Sequence, residues 1–289
     1  MTSKSFKTWF LLLTVLLLGS CEKETALNTQ FTDGDKIVVE GLITSELKKQ
    51  QIRLTRPYAE PNSIPEAVSG AAILVSSNED VCRFSEDSAR PGYYFSDVEF
   101  AGQAGKNYSL FISNNNTVIS AKATMVQGTD FVFMRYVRNN KTNLFRIIWI
   151  ANPYNAQRPA MYEILLDWSM VAGYELADPE TTKARLLYYT LPTLDVSQIF
   201  APEMESILFP PGTLITENRY SLTLEHAEYI RALLSETNWQ GGLFNSVPAN
   251  LPTNVSNNGI GYFGASVVTT KSEIARNIFS ISEIKSPQQ

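Results

Sequence analysis

Few side chains in this chain are suited to covalent chemistry, and one of them stands in a telling place. Cys21 follows a greasy run from Trp9 to Leu18, broken only by Thr14, and the small pair Gly19-Ser20. A thiol there is a nucleophile at the edge of a membrane-seeking segment, and acylation of sulfur is the chemistry it suits. The other cysteine, Cys82, alternates with Phe84 and reads as a small buried apolar residue. His226 is the only histidine. One imidazole cannot build a multi-histidine metal site, and a triad would need it beside an activated nucleophile. Its place four residues before Ile230 makes it a packed or half-exposed helix residue. Asp33-Gly34-Asp35 offers oxygens to calcium but lacks the remaining ligands. No nucleophile elbow, phosphate loop, dinucleotide fingerprint or cysteine–histidine metal spacing occurs. Trp149, Trp168 and Trp239 would suit stacking on sugar rings, although aromatics at alternating strand positions are core by default. The expectation is therefore no catalytic residue, no cofactor and no metal, with Cys21 as the one modified site.

The elements around Cys21 support acylation. Lys4 and Lys7 make a short positive start. The apolar run is about ten residues, roughly 15 Å as helix, half of the ~30 Å that a spanning helix must cross. It is an export signal, not a membrane span. Leu18-Gly19-Ser20-Cys21 resembles the lipobox of bacterial lipoproteins, in which the thiol is diacylated and the chain cut just before it. Acyl chains contribute roughly 0.8 kcal/mol per buried methylene, so several of them anchor a protein without a transmembrane segment. Glu22-Lys23-Glu24 looks like the surface-export signal of Bacteroidota lipoproteins, and residues 21–35 read as a flexible polar tether.

Removing a leader that holds two lysines and no acid takes the formal charge from −5 to −7. An acidic body does not suit phosphate backbones, so no nucleic-acid partner is expected. With Cys21 acylated no internal disulfide can form, and stability must come from core burial.

Between Lys36 and Val126 short runs of period two are broken by Gly, Pro, Asn and Ser. They centre on Ile37–Ile43, Ile52–Leu54, Ala71–Ser76, Val81–Phe84, Tyr93–Phe95, Tyr108–Ile112 and Ile119–Ala123. Seven close-spaced strands without a helical period predict an antiparallel sandwich of immunoglobulin-like size. From Thr129 onward the runs are longer and richer in aromatics. Phe145, Ile147 and Trp149 share a face, as do Tyr162, Ile164, Leu166 and Trp168, with Glu163 and Asp167 opposite. Further runs are Arg185–Tyr189 and Tyr220-Leu222-Leu224, and the prolines between Leu191 and Thr213 predict a loop-rich excursion. Ala227, Ile230, Leu233 and Leu234 stand at helical spacing, with Thr223 as N-cap, which predicts one amphipathic helix over about 224–237.

The C-terminal stretch is the most distinctive. It runs Gly241-Gly242-Leu243-Phe244-Asn245-Ser246-Val247-Pro248, then Pro252-Thr253-Asn254-Val255, and ends with Gly259-Ile260-Gly261-Tyr262-Phe263-Gly264. With Val38–Thr44, Val68-Ser69-Gly70-Ala71, Pro91-Gly92-Tyr93 and Gly105-Lys106-Asn107-Tyr108, this is similar to a Bacteroidota outer-membrane lipoprotein family classed as domain of unknown function 4249. The front half also looks like the carboxypeptidase-regulatory sandwich found before TonB-dependent transporters. The likeness fades from about Asn152 to Asn218. It implies a non-catalytic accessory of a TonB-dependent transporter in nutrient uptake, held in the outer membrane by lipid and facing either the cell surface or the periplasm, with no catalytic residues to carry over. The alternatives are a stand-alone surface glycan or ligand binder, and a hydrolase whose facing acids spacing does not reveal. Asp87-Ser88-Ala89 resembles the O-glycosylation acceptor of exported Bacteroidota proteins. The glycines at 259, 261 and 264 are expected to let a strand pass close to backbone or bulky aromatics.

The expected fold is thus mainly β. A signal peptide (1–20) and tether (21–35) precede an immunoglobulin-like β-sandwich (36–126), followed by a second antiparallel β-rich domain with one packed helix (127–289).

Overall fold

The computed structural model describes residues 36–57, 63–78, 80–115, 117–139, 141–148, 158–191, 207–238, 251–257 and 259–276. Cys21, the leader, the tether, Asp33–Asp35, Trp149, Trp239 and Gly241–Asn250 lie outside them, as does most of the proline-rich excursion. The described chain is mainly β with one α-helix. No helix among the described residues is long and apolar enough to cross a membrane.

The seven front strands form where alternation places them. They are β1 (Val38–Thr44), β2 (Gln51–Thr55), β3 (Ala72–Ser77), β4 (Asp80–Glu86), β5 (Tyr93–Ser96), β6 (Asn107–Asn114) and β7 (Thr117–Thr124). On β6, Tyr108, Leu110 and Ile112 point inward while their neighbours face out, which is the period-two pattern of a half-buried strand. The strands do not split into the two face-packed sheets of an immunoglobulin-like sandwich. They join one eight-stranded sheet, in the order β14-β1-β2-β5-β4-β3-β6-β7, whose eighth member is β14 (Ile260–Ser266). All its pairings are antiparallel except β1 with β14, where Val38 faces Ile260 and Thr44 faces Ser266. The two motifs that carry the family likeness are therefore neighbours in one sheet.

That sheet curls until it is nearly closed. Residues 254–257 run along the open side of β7: Ser256 N–H donates to the Ser120 carbonyl (2.8 Å) and Ser120 N–H donates to Ser256 Oγ (2.8 Å). Asn254 grips β14 in both directions, donating to the Phe263 carbonyl (2.7 Å) and accepting from Phe263 N–H (3.0 Å). Its amide also donates to the Lys122 carbonyl on β7 (2.8 Å). The seam thereby satisfies edge groups that an open sheet would expose to other chains. Val255 and Phe263 point into the barrel, joining a core built on Ile43, Leu54, Phe84, Tyr94 and Leu110.

The remaining strands make two smaller antiparallel sheets. One has the order β12 (Leu208–Phe209), β9 (Phe145–Ile148), β8 (Arg135–Arg138). The other has the order β11 (Lys183–Thr190), β10 (Ala160–Asp167), β13 (Leu214–Ser221), β15 (Val268–Ile274). Phe145 and Phe209 meet Ile164, Leu166, Trp168 and Ile215 in a second core. Trp168 is thus a core residue and not a stacking platform. The strand expected around Tyr220–Leu224 lies earlier, because Leu224 already starts the helix.

Helix α1 (Leu224–Asn238) follows as the periodicity predicts. Thr223 Oγ1 accepts from His226 N–H (3.2 Å), the bond of an N-cap to the third helical residue. Ala227 and Ile230 are buried against Leu191 and Leu222, with Met161, Tyr189 and Leu234 around them. A single residue, Val267, separates β14 in the barrel from β15 in the second sheet. Ser221 holds that joint, accepting on Oγ from Val267 N–H (3.1 Å) and donating from its own amide to the Val267 carbonyl (3.0 Å).

Candidate functional site

Strand β13 is where the sequence departs most from a plain apolar core. It reads Leu-Ile-Thr-Glu-Asn-Arg-Tyr-Ser, and every residue from Glu217 to Ser221 is buried. Flanked by β10 and β15, the strand is central and covered on both faces at that end. Buried polar side chains must find partners within the protein, so each one can be followed to its contact.

On the face shared with Glu163 the partners are complete. Glu163 accepts from Asn218 Nδ2 (3.0 Å), from the Tyr220 hydroxyl (2.8 Å) and from Arg185 Nε (2.6 Å). Asn218 Oδ1 accepts from Thr270 (2.8 Å). Burial pushes the Glu163 carboxyl up, but the three donors outweigh it and hold the group below the ordinary carboxylate range. The same contact and burial raise the Tyr220 hydroxyl.

On the opposite face the partners are uneven. Glu217 is fully buried and accepts from Met134 N–H (2.8 Å) and from the Tyr188 hydroxyl. Burial dominates there and raises its pKa, against the lowering effect of Tyr188, the Met134 amide and the charge of Lys271. A carboxyl whose folded pKa lies above its unfolded value favours the fold while protonated and loses that contribution as pH rises through the folded pKa. Glu217→Gln, which keeps an acceptor and adds no charge, is expected to melt at or above the wild type at pH 7 and level with it near pH 4. Melting curves across that interval check this; a variant several degrees less stable at pH 7 would show that the carboxylate charge is needed.

Two residues further along the same face lies Arg219, 4 % exposed. Its Nε donates to the Tyr162 hydroxyl (3.3 Å) and Nη2 to the Arg158 carbonyl (3.4 Å), both neutral acceptors at long distances. Nη1 is buried with no partner among the described residues. The guanidinium also lies over the Tyr162 ring at 5.8 Å, and that ring stacks on Tyr188 with centroids 4.7 Å apart. The surface that Arg219 does show lines a cleft of about 470 Å3 where the barrel, the second sheet and α1 meet. Val126, Arg158, Ser221, Thr223 and Glu225 are among the other residues of its mouth and walls.

The chain can now be placed among known proteins. A family profile described as Domain of unknown function (DUF4249) matches residues 22–272. The chain belongs to this family. No curated protein matches it. The match spans 152–218, the interval where residue-by-residue likeness faded, and so takes in β10, β11 and most of β13.

In this DUF4249 chain the residues singled out from sequence are dispersed. Cys82 is half-buried beneath the first core on the Phe84 side of β4, and burial raises its thiol. Ser88 sits exposed on the turn after β4, which Asp87 braces by accepting from Ala89 N–H (3.0 Å). His226 packs flat on Tyr262 (4.5 Å between centroids, 14° between planes), and Tyr229 stacks on the same ring (4.9 Å). Burial lowers the imidazole to about 4, so it is neutral at pH 7. Gly264 makes this stack fit: a Cβ there would stand 2.8 Å from Nδ1 of His226. Among the described residues no three His, Cys, Asp or Glu side chains converge on a point that would hold a metal. Sequence reading passed over Arg219 and its cleft. The available signal was three consecutive polar residues, Glu217-Asn218-Arg219, between Ile215 and Leu222, where a strand buried on both faces has no solvent side for them.

Proposed function

We propose that the protein is an outer-membrane lipoprotein, tethered through acylated Cys21, that serves as a non-catalytic accessory of a TonB-dependent transporter. The observation that carries this reading is the abutment of two signals. The lipobox-like Leu18–Cys21 ends at the residue before the family match begins. A mature chain starting at Cys21 thus consists of a lipid attachment point followed by the family domain.

Two measurements test it. Cys21→Ser is expected to abolish incorporation of an alkyne-tagged palmitate and to move the body from the membrane fraction to the soluble one. Crosslinking in intact cells is expected to capture a β-barrel transporter. A mature N-terminal peptide without acyl chains overturns the anchor, and recovery of no outer-membrane partner overturns the accessory role.

A further inference from the structure

We propose that the cleft at the junction of the barrel, the second sheet and α1 is a binding site for a small monocarboxylate, received by Arg219.

The argument begins with an electrostatic imbalance. A guanidinium removed from water costs several kcal/mol unless an opposite charge or a full set of acceptors replaces the lost hydration. Among the described residues Arg219 has neither: two long bonds to neutral oxygens, an orphaned Nη1 and no carboxylate partner. Glu217, on the same strand face, spends its oxygens on Met134 N–H and the Tyr188 hydroxyl. The fold therefore holds a buried cation without a counter-charge beside an open cleft, an arrangement that a negative ligand completes.

The surroundings set the charge and shape of that ligand. Thr223, the N-cap, lines the cleft together with Leu224 and Glu225, so the N-terminus of a fifteen-residue helix opens onto it. Thr223 satisfies the amides of His226 and Ala227, which leaves those of Leu224 and Glu225 without an acceptor among the described residues. The helix end adds roughly half a positive charge. Arg158 and Arg219 supply two cations to the walls and Glu225 one anion. The balance is a little above one positive charge. It suits a single carboxylate, while Glu225 disfavours a phosphate dianion. A carboxylate can take Nη2 of Arg219 by displacing the 3.4 Å contact to the Arg158 carbonyl, and reaching the buried Nη1 as well would complete the two-bond geometry that guanidinium favours. The volume of about 470 Å3 lies within the range of small-molecule sites and leaves room for an organic tail beyond the carboxylate.

The test uses the full mature lipoprotein in detergent micelles, at fixed ionic strength, with butyrate as the probe. Butyramide is the neutral control of like shape, and inorganic phosphate is the dianion control. Butyrate is expected to raise the melting temperature in a saturable way, and butyramide and phosphate are not. Arg219→Met is expected to abolish the response while melting no lower than the wild type, since it replaces an unpaired buried cation with an apolar chain of similar length. Arg158→Ala, at an exposed position, is expected to weaken butyrate binding on the order of tenfold without altering the fold. Equal responses to butyrate and butyramide, a stronger response to phosphate, or a butyrate response that survives in Arg219→Met would each overturn the proposal. So would an Arg219→Met variant that melts well below the wild type together with a wild type blind to butyrate, which would make Arg219 purely structural.

Discussion

Replacing Gly261 with alanine is expected to cost on the order of 4 kcal/mol or more, the largest single effect we foresee in the barrel. Gly261 has φ +91° at the head of β14. In the parallel register it pairs with Val39, and a Cβ built on it would overlap the Val39 carbonyl oxygen. The left-handed backbone alone costs an L-residue about 1–2 kcal/mol. The overlap adds more, because its partner is backbone of a strand paired on both sides, with Gly261 and with Leu54, and cannot swing aside. For a body of this size about 1 kcal/mol corresponds to roughly 2–4 °C in melting temperature. A fall of about ten degrees or more is the expected reading. Gly105→Ala is the internal control: φ is +82° there, but nothing lies within 4 Å of the added methyl. Its cost should stay near the backbone figure. If the two variants melt together, the tight parallel pairing of β1 with β14 is wrong.

The second large effect concerns Glu163. Methionine in its place keeps the volume but removes the acceptor of Asn218 and Tyr220, two donors buried in the second sheet. Each orphaned donor costs about 1–3 kcal/mol, so the variant should lose about 2–6 kcal/mol at pH 7. Arg185 adds little to this sum, since its side chain is 62 % exposed and the pair is screened by water. The sign of the pH dependence is specific. Glu163 titrates lower in the fold than unfolded, so its contribution is present above the ordinary carboxylate pKa and lost as pH falls through the depressed value. The gap between wild type and variant should therefore narrow as the medium is acidified below about pH 4. Urea unfolding at several pH values reads this directly, and a constant gap down to pH 2 would contradict it.

The front strands were legible because half-buried strands write their faces into the sequence: Tyr108, Leu110 and Ile112 alternate with polar or exposed neighbours, and the inward set is the buried one. The helix was legible for the same reason at a different period, and its cap was visible in Thr223. Closure of the sheet was not. Nothing local ties Val38 to Ile260, and the asparagines near residue 254 read equally well as a fixed loop until their bonds to β7 and β14 are seen. The glycines of β14 carried the one hint, a need for close approach, which Val39 and His226 explain. Arg219 escaped for a different reason. Alternation analysis looks for a solvent face, and β13 has none where Glu217, Asn218 and Arg219 stand, so its charged run did not register as a strand.

The pairing of β1 with β14 also bears on how such a body folds as it is made. The first strand to emerge must wait for one of the last before its free side is covered. Until then the newborn chain presents two unsatisfied margins, along β1 and β7, either of which can recruit a stranger. Contacts this distant in sequence form slowly. A product truncated ahead of residue 251 would keep both margins bare for good, which makes the stretch from residue 251 onward a checkpoint for solubility rather than an appendage.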